Sequence, residues 1–153
     1  MSTALEIFRA KQSFNDYTAD LRTYVEKWVP EEFPRLLVYG DKHRDHFYER
    51  MLGRNLNKQH VGGALTKLLE EHYCELITVL TQAQEEKPLA PLFSIAVYYK
   101  SVVVVLKVRK YDDNRYHLYP VTCMPSNRKT TAYVYMDLNE EKVEWIHEME
   151  PLV

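Results

Sequence analysis

The chain has 153 residues, 46% hydrophobic and 27% charged, with a formal net charge of −2. That is the profile of one ordinary globular domain, 1–153, large enough to bury a core. No stretch approaches the roughly 20 apolar residues of a membrane span, and the opening MSTALEIFRAKQSF has charges where a signal peptide has its apolar core.

Residues 3–28 place Leu5, Phe8, Phe14, Leu21, Val25 and Trp28 at helical spacing, which predicts a long scaffold helix. Ser2 or Thr3 can cap it, with Glu6 completing a capping box from Thr3, and Pro30 and Pro34 end it. A short extended segment follows at 35–39, then a second helix capped by Asp41 and running to about Leu52, with Phe47, Tyr48 and Met51 inward. A third helix is predicted from about Lys58 to Gln84, capped by Asn55 or Asn57. Its Gly62-Gly63 pair costs helix propensity; it allows close approach of another backbone or a ligand, or marks a looser first turn, and packing is the expected reason for it.

The helices occupy 1–87, and strands follow over 93–138. Phe93–Tyr99 alternates, Val102–Lys110 opens with four consecutive valines, and Arg115–Met124 and Thr130–Leu138 continue the pattern. The segment 139–149 reads as either an edge strand or a short helix. The expected fold is α+β: N-terminal helices packed on one face of an antiparallel meander sheet of about four or five strands.

The small net charge conceals segregation. Residues 100–130 hold seven basic residues against Asp112 and Asp113, a local +5, whereas 131–153 hold six acids against Lys142. Such a band is either an anion-binding face or the solvated side of a sheet. The 12 tyrosines, flat and polar-tipped, fit half-buried strand positions or a wet contact surface.

The chain lacks a phosphate-binding glycine loop, a nucleophile elbow and zinc-type cysteine spacing. Cys74 and Cys123 read as reduced thiols of a cytoplasmic protein. His43 and His46 lie three apart but lack an obvious third metal ligand, so no metal or other cofactor is expected. What remains is acid–base chemistry on a phosphodiester. His46, Arg50 and Arg54 recur every four residues and stack on one helical face. A histidine suits proton transfer near neutral pH, and an arginine fork suits phosphate. Facing a sheet with Lys107, Arg109, His117 and Tyr119, that helix would offer a base, cations for the phosphate and an acid.

The stretch LVYGDKHRDHFYERMLGRNLNKQHV resembles the corresponding region of the phage RegB endoribonucleases, which belong with the RelE-like small ribonucleases. The matching positions are Leu36–Tyr39, His46, Phe47, Tyr48, Glu49, Arg50, Arg54 and Val61, and the strand Val121-Thr122-Cys123-Met124-Pro125 is similar as well. The resemblance implies helices on an antiparallel sheet, and metal-free cleavage of single-stranded messenger RNA by 2′-OH attack, leaving a 2′,3′-cyclic phosphate. It places His46 on a catalytic histidine. The family's second histidine aligns with Thr66, so His60 is the first choice to replace it, with His72 and His117 behind. The implied setting is the cytoplasm, that of the host for a phage protein.

The expected site is therefore His46, His60 and Arg50 for catalysis, with Arg54, Lys107, Arg109, His117 and Tyr119 on the RNA. Two other classes stay open. One is a non-enzymatic protein on the same scaffold that binds a host protein, as a takeover factor, inhibitor or immunity protein. The other is an RNA-binding regulator without turnover.

Overall fold

A computed structural model describes residues 3–40, 45–86, 92–128, 130 and 132–145. Its element order is α1 (Ala4–Trp28), β1 (Arg35–Val38), α2 (His46–Gly53), α3 (Lys58–Glu71), α4 (Tyr73–Glu86), β2 (Leu92–Tyr99), β3 (Val102–Asp112), β4 (Arg115–Pro125), β5 (Val134–Asp137) and β6 (Lys142–Trp145). The α+β class is as expected.

Both ends of α1 follow from its sequence. Thr3 and Glu6 form the capping box. The Arg35 guanidinium then collects the carbonyls at the far end, with Nη1 donating to Val29 O at 2.8 Å and Pro30 O at 3.3 Å. A fixed cation suits the negative end of a helix. The proposed Asp41 cap of α2 lies outside the described residues.

The single helix expected over 58–84 is two helices that break at His72. Asn57 caps α3, accepting from the amides of Gln59 and His60. Of the glycine pair, Gly63 serves packing: a Cβ there would stand 2.9 Å from the Tyr99 ring, so the bare backbone lets α3 settle onto β2, whereas a Cβ at Gly62 would make an ordinary contact with Tyr17 at 3.5 Å. The tilt at His72 lets the first residue of α4 reach β1. The Tyr73 hydroxyl accepts from Leu36 N at 2.8 Å and donates to Pro34 O at 2.7 Å.

The sheet is mixed rather than an antiparallel meander, and it has six strands, in the order β1-β4-β3-β2-β5-β6. β2–β3 and β3–β4 are the expected antiparallel hairpins. However, β1 joins β4 in parallel and β5 joins β2 in parallel. The segment 139–149, left open between strand and helix, supplies β6, an antiparallel edge strand on β5.

Alternation then divides the sheet into two faces. Val102, Val104, Leu106 and Val108 of β3, with Tyr116, Leu118 and Cys123 of β4, join the main core beneath the helices. On the opposite face Ala96, Val103 and Val105 form a smaller cluster, covered by Ala132 from the β4–β5 connection. Lys107, Arg109, His117 and Tyr119 alternate onto that opposite face, because Lys107 pairs with Tyr119 and Arg109 with His117. Among the described residues, no helix is long and apolar enough to cross a membrane.

Candidate nucleic-acid interface

The inward side of α2 is apolar: Phe47, Tyr48 and Met51 are buried, with Phe47 and Tyr48 packed against Phe14 of α1. The buried Cys123 thiol of β4 donates to Phe47 O at 3.8 Å, and burial pushes that thiol up to about 12. It is a packing group rather than a nucleophile. Cys74 is exposed on α4.

With one face of α2 buried, the other presents His46 and Arg50 to solvent. Arg50 Nε donates to His46 Nε2 at 3.3 Å, which leaves that nitrogen as the unprotonated acceptor of the ring. Arg54 closes the helix and is pinned to the sheet, with Nη1 donating to Cys123 O at 2.6 Å. Partial burial, followed by the neighbouring charges of Arg50 and Arg128, lowers the Arg54 pKa. Three guanidiniums are thus gathered where the end of α2 meets the end of β4. At the start of α2, Asp45 binds Lys11 at 3.0 Å.

Arg50 is at His46 as expected, but the expected second proton carrier bonds elsewhere. His60 occupies the first turn of α3, and its Nδ1 lies 2.6 Å from Ser101 Oγ in the β2–β3 hairpin. Thr66 is engaged elsewhere too. Its hydroxyl and the Gly62 carbonyl both bond the Tyr17 hydroxyl at the α1–α3 interface. There Thr66 lines a cleft of about 690 Å³ between α1, α2 and α3. His72 is buried, with Nδ1 2.8 Å from Glu75.

The predicted RNA-binding residues of the sheet are not opposite α2 either. Lys107, Arg109, His117 and Tyr119 stand on the helix-free face, with the buried layer of Leu106, Val108 and Leu118 between them and the helices. They do form a group of their own, together with residues not singled out from the sequence. The Tyr111 ring stacks on His117 with centroids 4.7 Å apart at 13°. Tyr39, just beyond β1, meets His117 at 4.8 Å and Tyr119 at 6.1 Å. Arg22 of α1 lies 4.4 Å above the Tyr39 ring, held there by donation to Val38 O at 2.7 Å.

No protein-family model, curated protein or solved structure matches the chain. Its chemistry is therefore read from these two groups: a histidine–arginine ridge on α2 and an aromatic–cationic group on the far side of the sheet. Among the described residues, no three His, Cys, Asp or Glu side chains converge as a metal site would require; His43 lies outside the described residues.

The aromatic group was partly visible in the sequence, where Tyr111, Tyr116 and Tyr119 fall inside the basic band of 100–130. Arg22 carries no such signal, being one of many polar residues on a helix. Ser101 reads as a turn residue, and its pairing with His60 depends on tertiary structure alone.

Proposed function

We propose that the protein is a metal-independent endoribonuclease of single-stranded RNA that cuts at the outer face of α2. The observation that supports this reading is the exposed His46–Arg50 pair, an imidazole hydrogen-bonded to a guanidinium, backed by Arg54 and Arg128. Once Arg50 leaves His46 for the phosphate, the freed Nε2 takes the proton of the ribose 2′-OH as the 2′-oxygen bonds to phosphorus. Arg50 turns its donors to the phosphate and offsets the charge that builds on the phosphorane. The bond from phosphorus to the 5′-oxygen then breaks, giving a 2′,3′-cyclic phosphate and a 5′-hydroxyl. With His60 held at Ser101, the leaving oxygen takes its proton from water. Cleavage is accordingly slow, since one positioned proton donor contributes on the order of 10²–10⁴ in rate.

The test is incubation of purified protein with a long mixed-sequence RNA in EDTA, with mapping of the cut ends. Discrete cuts with cyclic-phosphate ends are expected, reduced about a hundredfold in His46→Ala. Because His46 is exposed, the variant's circular dichroism should be unchanged. Undiminished cutting by a folded His46→Ala protein would sink the assignment.

The engagement of His60 with Ser101 and of Thr66 with Tyr17 favours a second reading, an RNA-binding protein without turnover. Its mark is salt-sensitive binding with no products.

A further inference from the structure

We infer that the helix-free face around Tyr39, Tyr111, His117 and Tyr119 is a stacking platform for the unpaired bases of single-stranded RNA. The inference rests on reading the protein as one that binds RNA, but not on cleavage.

Three observations lead to this occupant. The first is geometric. Tyr111 falls at a register break between Lys110 and Asp112, where one residue has no partner across the strand pair. Such a bulge re-aims a side chain, and here the Tyr111 ring lies nearly parallel to His117, only 13° away, while remaining 61% exposed. The Arg115 guanidinium also lies over the Tyr111 ring, 5.9 Å from its centroid, and the exposed part of this flat ring offers area to another flat ring beside that cation.

The second is charge. Lys107 and Arg109 are exposed directly across the strand pair from Tyr119 and His117. Among the described residues neither forms an ion pair, whereas Lys110 and Arg115 are partly matched by Asp113 and Asp112. Cations beside an aromatic stack fit a ligand that alternates phosphates with bases. A duplex keeps its bases stacked internally and would not use the rings.

The third is support. Arg22 is fixed beneath Tyr39 by its bond to Val38 O, and His117 Nδ1 lies 3.2 Å from the Tyr119 hydroxyl. The rings are therefore ordered before any ligand arrives, which lowers the entropy cost of binding.

The experiment uses the full chain carrying His46→Ala, so that bound RNA stays intact, and a fluorescein-labelled 12-nucleotide oligouridylate read by anisotropy. Adding Tyr111→Ala should weaken binding about tenfold, the scale of one base–aromatic stack, whereas Tyr111→Phe should stay within about twofold. Arg109→Gln should reduce the slope of log affinity against log salt by about 0.7, one phosphate's worth on a single strand. A duplex RNA of the same length should bind at least tenfold more weakly.

Equal binding by Tyr111→Ala and its parent would overturn the platform. So would equal affinity for the duplex, which would mark a plain polycationic surface, or no binding of the 12-mer by the folded parent. Cleavage is scored separately on the dinucleotide UpA, too short to touch both faces. A Tyr111 effect without UpA cleavage leaves the platform standing and removes the nuclease reading. Cleavage that depends on His46, with no Tyr111 effect on 12-mer binding, removes the platform alone.

Discussion

His117 illustrates how a residue's neighbours set its chemistry. Burial is the first cause that lowers its pKa; the charges of Arg115 and Arg109 lower it further, and Asp112 opposes them. The ring stacked among Tyr39, Tyr111 and Tyr119 is thus biased towards the neutral form. An unfolded chain would hold that proton up to a higher pH. Stability therefore rises with pH between the lowered folded value and the ordinary value of about 6.5, and it is lost as pH falls through that window. Thermal melts from pH 7 to pH 5 should show a falling Tm, and His117→Gln should flatten part of that fall. An identical pH profile in His117→Gln would show that the ring makes no such contribution. At this same scale the sequence was informative for His46 and Arg50, because their four-residue spacing alone puts them together. For His60 it was not informative, since Ser101 lies 41 residues away.

At the scale of elements, the helical and strand periods carried most of the information. The capping box of α1, the buried face of α2 and the valine run of β3 are local patterns, and each is realised locally. The break between α3 and α4 is different. No proline or glycine marks it, and the apolar stripe through Leu68, Leu69, Leu76 and Ile77 continues past it. Its reason is tertiary: Tyr73 must reach β1. That hydroxyl, pushed up to about 12 by burial, satisfies Leu36 N and Pro34 O together. Tyr73→Phe would leave both backbone groups short of a partner, at a cost of about 1–3 kcal/mol. Urea unfolding with an unchanged slope should show the loss as a lower midpoint. A midpoint equal to wild type would mean that other groups or water replace the hydroxyl.

For the molecule as a whole, alternation told which residues share a strand face but not which strands are neighbours. Lys107, Arg109, His117 and Tyr119 were correctly grouped by strand pattern, yet they stand across the sheet from α2 instead of opposite it. Parallel pairings leave no turn signature in the sequence, so the mixed topology was hidden. The separation also bears on the proposed RNA binding. Arg50 and Tyr111 belong to opposite sides of the sheet and share no partner, so the effects of Arg50→Gln and Tyr111→Ala on the binding of one long single-stranded RNA should add within about 0.5 kcal/mol. Strong non-additivity, measured as a double-mutant cycle, would show that the two faces communicate.

The parallel pairing of β1 with β4 also has a consequence for biosynthesis. β1 is made early, but Arg35 must wait for Arg115 and Val38 for Leu118. During translation the apolar run Leu36–Val38, buried in the finished protein, has no strand to join while the next three helices and two strands emerge from the ribosome. Closing so long a loop delays folding and leaves the nascent chain open to aggregation or chaperone capture until β4 is out.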